Sequence, residues 1–240
     1  MPSFFANKNI VVIGSARGIG YALLKQLVLG GAKSILAIDR YESQDISALV
    51  AYSNEHTDTT HLSFVLADVT DRSALIAATE KVDSVDCLLC VAGVLGCPLP
   101  LLSREESDPD PSADILKVFT VNVLGTFNGI HAFQAKIQRG GRVMLMSSTM
   151  ASMETATFSK NPAYSIAKAG VNMLGRKLAV ELGQRDIGVV MMSPGVVRTE
   201  MNGGEGDISP EESAAGILRE LSREGINGAF LRYDGNGWPW

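Results

Sequence analysis

A tyrosine and a lysine lie four residues apart, at Tyr164 and Lys168, in the segment NPAYSIAKAG (161–170). Residues at i and i+4 share one face of an α-helix, and Pro162 suits the first turn of such a helix. A free phenol has a pKa near ~10 and is a poor base at neutral pH. An adjacent ammonium and the helix N-terminus both favour the phenolate, so the spacing predicts a tyrosine acid–base group whose pKa the lysine lowers. The alternative is a surface helix on which the two residues are unrelated.

A glycine-rich turn near the start of the chain offers a place for a dinucleotide. Gly14, Gly18 and Gly20 lie in VIGSARGIG, between an apolar run and a helical pattern. Glycine permits the tight turn and lets backbone N–H groups approach a pyrophosphate, and the helix N-terminus favours the phosphate charge. Asp39 ends the next apolar run, where a carboxylate can bond a ribose diol. We therefore predict a dinucleotide site, the alternative being a purely structural turn.

The choice between the two nicotinamide dinucleotides is contested within the sequence. Asp39 would bond a free ribose diol and repel a 2′-phosphate, which favours NAD(H). Arg17 in the glycine turn and Arg40 after Asp39 could instead bind that phosphate through bidentate hydrogen bonds, which favours NADP(H). We predict NAD(H), because the carboxylate occupies the discriminating position, and NADP(H) stays open.

Short, nearly all-apolar runs alternate with helical patterns along the whole chain. Strands that are apolar on both faces and alternate with helices predict a parallel sheet with helices on both faces. No linker or repeat suggests a second unit, so we expect one doubly wound α/β domain over residues 1–240, in which 102–114 is a surface loop. The predicted strands are 9–14, 34–39, 62–68, 86–93, 142–148, 187–193 and 228–233, and the predicted helices are 18–31, one from Asp71, 112–138, 162–183 and one opened by Ser209.

Composition narrows the classes of partner. The 240 residues carry 21 basic and 26 acidic side chains, a net charge of −5, which argues against nucleic acid or an anionic membrane as the main partner. No run reaches the ~18 apolar residues of a membrane span, and the amino end lacks a signal peptide's apolar run, so we expect a cytoplasmic protein. Cys87 and Cys90 form a C-x-x-C pattern inside a predicted strand, where they would face opposite ways, so we expect no metal site.

Motifs along almost the whole chain resemble the classical short-chain dehydrogenase/reductase family. They are G-x-x-x-G-x-G at 14–20, Ala92-Gly93 after the fourth strand, Asn122, a serine before Y-x-x-x-K, and Pro194-Gly195 after the sixth strand. The closing DGNGWPW more weakly resembles the C-factor and sniffer-type carbonyl reductases. The resemblance implies a Rossmann-type sheet of about seven strands.

The resemblance also implies roles for the catalytic set. Ser148 would hold the substrate oxygen, Tyr164 would exchange its proton, and Lys168 would tune Tyr164 and hold the ribose. Asn122 would bend its helix and hold a water that links the lysine to solvent, although a buried asparagine with a structural role is an alternative. The 16 residues from Ser148 to Tyr164 exceed the family's usual spacing, which keeps Ser147 as an alternative to Ser148.

Further positions follow from the family's cofactor contacts. Residues 200–209, a short, Gly-rich and acidic stretch, would form a mobile substrate lid over an open pocket. Where the family usually has N-N-A-G, this chain has Cys90-Val91-Ala92-Gly93, which puts stability of the backbone around the cofactor in question. The implied cofactor-binding residues are Gly14, Arg17, Gly18, Ile19, Gly20, Asp39, Arg40, Asp68, Val69, Ala92, Gly93, Tyr164, Lys168, Pro194, Gly195, Val197 and Thr199.

We thus expect an oxidoreductase that transfers a hydride between nicotinamide and a small carbonyl or secondary alcohol. A cofactor-binding regulatory or redox-sensing protein, and a biosynthetic isomerase or cyclase, remain alternatives. The apolar run 94–102 indicates a hydrophobic pocket wall, or equally a buried loop. In the family the helices predicted at 112–138 and 162–183 pair across a two-fold axis, so we expect a homodimer or homotetramer. Their extra apolar residues are Phe119, Phe127, Phe133, Met173 and Leu174, which would otherwise fill the protein's own core.

Overall fold

The computed structural model describes residues 3–57 and 60–240, and its centre is a seven-stranded sheet. All strand pairs are parallel, in the order β3-β2-β1-β4-β5-β6-β7. The predicted α/β fold with about seven parallel strands is therefore confirmed. The strands are β1 (Asn9–Ile13), β2 (Ser34–Asp39), β3 (His61–Leu66), β4 (Val85–Cys90), β5 (Ile137–Met146), β6 (Gly188–Ser193) and β7 (Ala229–Arg232).

Helices cover both faces of the sheet, as the all-apolar strands predicted. The helices are α1 (Gly18–Leu29), α2 (Gln44–His56), α3 (Arg72–Ala78), α4 (Pro111–Phe119), α5 (Gly125–Phe133), α6 (Pro162–Gly183) and α7 (Pro210–Leu221). Buried residues of α1, α2 and α7 form the core on one face, and those of α3, α4, α5 and α6 form the core on the other. None of these helices is long and apolar enough to cross a membrane.

Helix α2 has no counterpart among the sequence predictions. Only Ile46 and Ser53 of its 13 residues are buried, so its apolar periodicity is weak. Its start is nevertheless encoded locally, because the Ser43 hydroxyl accepts a hydrogen bond from the Ile46 N–H as an N-cap. The helices were predicted from apolar periodicity, so a helix marked mainly by its N-cap serine was not predicted.

The long helix predicted over 112–138 is wrong in its continuity and its end. A π-helical segment, residues 120–124, separates α4 from α5, and α5 ends at Phe133. The chain enters β5 at Ile137, five residues before the predicted strand. Gly140, with φ +78°, and Gly141 lie inside this strand, where the β4–β5 register shifts, so a glycine pair that reads as a loop belongs to an irregular strand end.

The proposed oligomer helices share their apolar residues between the core and the surface. Phe133 is fully buried, and Phe119 and Leu174 pack against the core, so these three residues fill the protein's own core. Phe127 and Met173 are exposed. Only two of the five apolar residues named from the sequence are therefore at the surface. Leu116, Leu124, Ile166 and Val180 are also exposed in this part of the chain.

The predicted surface loop 102–114 is attached to the protein by a buried ion pair. Arg104 and Asp114 lie 3.2 Å apart with side chains only 4% and 7% exposed. Asp114 also accepts hydrogen bonds from the Cys97 N–H, at 3.1 and 3.2 Å. These contacts hold the segment between β4 and α4 against the start of α4. Val94 and Leu95, which belong to this segment, line the main cleft.

Candidate active site

A cleft of about 470 Å³ lies across the carboxyl ends of the strands. This is where ligands bind in open parallel sheets. The cleft brings together Ser148, Tyr164, Lys168 and every residue predicted to contact the cofactor, from Gly14 to Thr199. Asn122 is fully buried and lies behind the wall rather than in it.

The turn between β1 and α1 requires glycine at the predicted positions. Gly14 and Gly18 have φ of +89° and +54°, in the left-handed region that other residues rarely adopt. A Cβ on Gly20 would lie 1.9 Å from the Gly14 carbonyl oxygen, and one on Gly14 would lie 2.4 Å from the Ala92 nitrogen. Glycine here therefore allows α1 to pack directly against the strand ends.

The N-terminus of α1 fits the phosphates of a dinucleotide. Its N-cap residue, Arg17, makes no side-chain cap, so no side chain of the cap occupies the first N–H groups of the helix. Such groups, together with the helix dipole, bind anions. The Gly18, Ile19 and Gly20 backbone faces the cleft.

Asp39 ends β2 with its carboxylate fixed by two backbone donors. Oδ2 accepts from the Ala16 N–H at 2.8 Å, and Oδ1 accepts from the Arg40 N–H at 2.7 Å. The first bond joins the carboxylate to the glycine turn, so Asp39 faces the position predicted for a ribose. Arg17 forms an ion pair with Glu200, and its guanidinium carbon lies 5.8 Å from the centre of the Tyr41 ring.

Asp68 and Val69 follow β3 and line the cleft beside Asp39. The Thr70 N–H and hydroxyl both donate to Asp68 Oδ1, at 2.8 Å each. The backbone hydrogen bond is the main cause that holds the Asp68 pKa below its usual value. A carboxylate that remains ionised therefore lines this part of the cleft.

Tyr164 and Lys168 lie one turn apart on α6, as predicted, and Pro162 opens this helix. Asn161, just before it, has a left-handed φ of +52°. Lys168 is almost fully buried, and its Nζ donates to the Met146 carbonyl at 2.6 Å. Burial lowers the Lys168 pKa to about 8.

The net shift of the Tyr164 pKa is opposite to the prediction. Burial raises it to about 12, and a hydrogen bond with the Ser148 side chain acts in the lowering direction. Lys168 Nζ lies 5.4 Å from the centre of the tyrosine ring and is not among the groups that lower the Tyr164 pKa. Spacing alone put the two side chains together, but it gave no measure of the desolvation that dominates both pKa values.

The two candidate serines point into different surroundings. Ser147 is fully buried, and its hydroxyl donates to Asn172 Oδ1 at 2.6 Å inside the protein. Ser148 lines the cleft beside Tyr164 and accepts a hydrogen bond from the Met150 N–H. β5 ends at Met146, so consecutive residues beyond it face opposite sides, and of the two serines Ser148 lines the cleft together with Tyr164. The longer segment before Tyr164 does not displace this geometry.

Asn122 lies at the centre of the π-helical segment, where the helix was expected to bend. Its Oδ1 accepts from the Val94 N–H at 2.8 Å, and its Nδ2 donates to the Val94 carbonyl at 2.9 Å. Its own backbone carbonyl accepts from the Thr126 hydroxyl at 2.7 Å. π-Helical insertions are frequent at functional sites.

The Cys90-Val91-Ala92-Gly93 segment is held without the family's two asparagines. The Val91 and Ala92 N–H groups both donate to the Ile13 carbonyl, and Asn122 fixes Val94 just beyond. A Cβ on Gly93 would lie 3.1 Å from Asn122 Oδ1 and 3.5 Å from Lys168 Nζ. This glycine allows the strand end to lie directly against both side chains.

The two thiols of the C-x-x-C pattern belong to opposite faces of the sheet. Cys87 packs in one core and Cys90 in the other, and burial raises both pKa values to about 12. Among residues 3–57 and 60–240 no cluster of three or more metal-ligating side chains occurs.

The loop after β6 closes the cleft on its remaining side. Pro194, Gly195, Val197 and Thr199, which the family resemblance assigns to the cofactor site, line it, and Gly195 has φ +87°. The expected mobile lid, 200–209, is attached at both ends: Asn202 Nδ2 donates to the Val197 carbonyl, and the Arg198 N–H donates to the Ile208 carbonyl. The prediction from its glycine-rich composition did not include these contacts.

Several residues of the cleft had no sequence signal. They include Tyr41, Val121, Met146, Thr149, Met150, Asn161 and Val196, whereas Glu200, Met201 and Asn202 belong to the predicted lid. Most follow strand ends by one to eight residues, and their side chains carry no motif. Val94 and Leu95 do belong to the apolar run predicted as a pocket wall, and they line the cleft.

Comparison with known proteins agrees with this geometry. A sequence model of the family described as short chain dehydrogenase matches residues 8–208. The chain is 26% identical over 242 residues to 1-hydroxy-2-glutathionyl-2-methyl-3-butene dehydrogenase of Rhodococcus sp. (strain AD45), covering 97% of this chain and 99% of that protein. It is 32% identical over 162 residues to C-signal of Myxococcus xanthus, covering 65% of this chain and 93% of that protein.

The fold is also similar to that of solved structures. An NADPH-bound carbonyl reductase from chicken fatty liver superposes with a TM-score of 0.84 at 23% identity, over 98% of this chain and 95% of the other. That similarity concerns the fold. The C-signal match and this carbonyl reductase fold both agree with the weaker resemblance drawn from the carboxyl end.

Proposed function

The chain belongs to the short-chain dehydrogenase family, and we propose that it is a nicotinamide-dependent oxidoreductase that interconverts a small carbonyl compound and a secondary alcohol. Two regions of one cleft support this proposal. Residues 14–20 and 39–41 form what we call the nucleotide end, and Ser148, Tyr164 and Lys168 form the reaction end.

The observation that carries the proposal is that Ser148, Tyr164 and Lys168 line the same cleft as the glycine turn. A hydroxyl beside a phenol offers two groups to one substrate oxygen, with Ser148 orienting it and Tyr164 exchanging its proton. Bound nicotinamide would supply or accept the hydride. With a pKa of about 12, Tyr164 holds its proton at neutral pH and is ready to give it to an alkoxide as a carbonyl is reduced.

Lys168 and Asn122 support the reaction end from behind. One of the three N–H groups of Lys168 is used by the Met146 carbonyl, and we propose that another holds a ribose hydroxyl. Alcohol oxidation needs the phenolate, so Lys168 as an ammonium and the positive charge of an oxidised nicotinamide would have to offset the effect of burial. Asn122, fixed to Val94 by its side chain, would hold a water that links the lysine to solvent.

The nucleotide end supports NAD(H) as the preferred cofactor. The Asp39 carboxylate is fixed by the Ala16 and Arg40 N–H groups, so a 2′-phosphate on the ribose would meet a like charge. The carbonyl reductase from chicken binds NADPH, which makes NADP(H) the alternative to test. We also propose a single unit over residues 1–240 that carries both cofactor and substrate.

We further propose a homodimer or homotetramer that pairs α4, α5 and α6 with those of a second copy. Leu116, Phe127, Met173 and Val180 are exposed on these helices, and Leu124 is exposed in the π-helical segment between α4 and α5. Exposed apolar side chains that form a contiguous patch mark interaction sites. Light scattering at micromolar concentration should give a multiple of the 25.6 kDa chain mass, and a monomeric mass would contradict the proposal.

The direct test combines binding with turnover. Fluorescence titration should show binding of NADH or NADPH at micromolar to millimolar concentration, and a panel of ketones and aldehydes should yield oxidation of the reduced dinucleotide. Absence of binding of all four dinucleotide forms at millimolar concentration would overturn the cofactor assignment. Binding without turnover of any carbonyl or alcohol would support the cofactor site but contradict the proposed reaction.

A further inference from the structure

An ion pair joins the glycine turn to the loop after β6 across the mouth of the cleft. Arg17 belongs to the turn, Glu200 follows Thr199, and both side chains line the cleft. Thr199 itself lies close to the turn, since its Cγ2 would be 3.3 Å from a Cβ on Gly18. The contact between these two segments therefore includes both charge and packing.

Arg17 stands at the nucleotide end rather than at the reaction end. Its guanidinium carbon lies 5.8 Å from the Tyr41 ring centre, and Tyr41 is two residues beyond Asp39. The Asp39 carboxylate is bonded to the N–H of Ala16, the residue before Arg17. A phosphate on the 2′-oxygen of the ribose would thus lie within the reach of this arginine.

The charges around that position are closely balanced. Arg17 and Arg40 contribute two positive charges, whereas Asp39, Asp68 and Glu200 contribute three negative charges, and all five line the cleft. Of the two arginines, Arg17 is paired with a carboxylate from a distant part of the chain. A guanidinium that already holds a carboxylate has fewer donors left for a phosphate.

We propose that Glu200 sets the preference between NAD(H) and NADP(H) by occupying Arg17, in competition with a 2′-phosphate. This inference rests on the proposed function, because it concerns the cofactor of the same site. Glu200 acts through Arg17 and is a positioning residue. A 2′-phosphate must displace Glu200 to reach Arg17, and it also meets the displaced carboxylate as a like charge, whereas an unphosphorylated ribose does neither.

The magnitude follows from the exposure of the pair. Both side chains are more than half exposed, so the attraction is screened by water and salt. A phosphate carries a larger charge than a carboxylate. We expect Glu200→Gln to lower the ratio of the NADPH to the NADH dissociation constant by about three- to tenfold, mainly through tighter NADPH binding.

The test measures both dissociation constants by fluorescence titration for wild type, Glu200→Gln, Arg17→Gln and the double variant. The effect of Glu200→Gln on the ratio should fall below about twofold once Arg17 is gone, because the two residues then no longer interact. Raising the salt to about 0.5 M should also shrink the effect. Glu212→Gln is the matched control. It removes the same charge as Glu200→Gln, but Glu212 is exposed and lies outside the cleft.

An unchanged ratio in Glu200→Gln would overturn the inference, and so would an equal change in the Arg17→Gln background or in Glu212→Gln. Because Glu200 is exposed, the variants should fold, which circular dichroism checks. If wild type binds neither dinucleotide, the proposed function itself falls and the inference falls with it. If both bind and the ratio does not move, only the inference falls.

Discussion

At the nucleotide end of the cleft, backbone groups and small residues dominate, whereas at the reaction end the working groups are the side chains of half-buried Ser148 and Tyr164 and of buried Lys168. Gly14 and Gly20 leave room that any Cβ would fill, and Asp39 is oriented by two backbone N–H groups. At the other end, burial raises the pKa of Tyr164 to about 12 and lowers the pKa of Lys168 to about 8. The first region depends on shape, and the second depends on desolvation.

This difference predicts that variants at the two ends will separate binding from turnover. A change at the nucleotide end should act on dinucleotide affinity and selectivity. A change at the reaction end should act on rate, on pH dependence and on stability, because buried ionisable groups affect all three. Variants that violate this division would show that the two regions work as one.

The largest effect is expected for Tyr164→Phe. The variant keeps the ring and removes only the hydroxyl that exchanges the proton, so turnover of a confirmed substrate should fall by about a hundred- to ten-thousandfold. Dinucleotide affinity, measured by titration, should stay within about twofold of wild type, since the nucleotide end is untouched. Near-normal turnover would show that NPAYSIAKAG is a structural helix, and the reaction would then have to be assigned to other residues.

The adjacent serines provide a matched pair at the same strand end. Ser148→Ala removes a donor to the substrate oxygen and should lower kcat by about a hundred- to a thousandfold, as for other preorganised donors. Ser147→Ala removes a buried hydrogen bond to Asn172 and should lower the free energy of unfolding by about 1 kcal/mol while kcat is retained. The reverse result would make Ser147 the catalytic serine.

Lys168 connects the reaction end to stability. Its pKa falls from 10.5 to about 8 on folding because burial disfavours the ammonium, so below pH 8 the folded protein carries a penalty on the order of 3 kcal/mol. As pH rises from about 8 to 10.5, the unfolded chain binds more protons than the folded one, and the free energy of unfolding should increase. Lys168→Met should lack this increase in urea titrations at pH 7.5 and pH 10.

The control for this experiment is Lys177→Met, on the exposed side of the same helix. It should show the same dependence of stability on pH as wild type. If Lys168→Met also keeps that dependence, the buried lysine is not the group that titrates. Desolvation would then not be what distinguishes the reaction end.

The contrast also explains how far the sequence could predict the site. The glycine turn and Asp39 were predictable because a left-handed φ and a fixed strand end leave few residue types that fit. Tyr164 and Lys168 were also placed on one face of the helix. The predicted lowering of the Tyr164 pKa was wrong, because the spacing of the two residues carries no information on their burial. The Arg17–Glu200 contact joins residues 183 positions apart, and no local pattern encodes it.

The fold shows the same limit. All seven strands were found because each contains a short apolar run, whereas α2 was missed because only two of its residues are buried. The π-helical segment at Asn122 coincides with hydrogen bonds to Val94, which lies 28 residues earlier. Local periodicity predicts elements, and tertiary contacts decide where they begin, end and bend.

The smallest effect is expected at Asp39, and it tests the nucleotide end by itself. Asp39→Ala removes both the ribose acceptor and the charge that opposes a 2′-phosphate, so NADH affinity should fall by about three- to tenfold and the NADPH affinity should hold or rise. Asp39→Asn keeps an acceptor oxygen without the charge, so NADH affinity should fall less while NADPH gains as much. With saturating dinucleotide, kcat of both variants should stay within about twofold of wild type, because Ser148, Tyr164 and Lys168 are unchanged. A wild type that prefers NADPH, or an Asp39→Ala variant that keeps the gap, would move the discriminating role to Arg17 and Arg40.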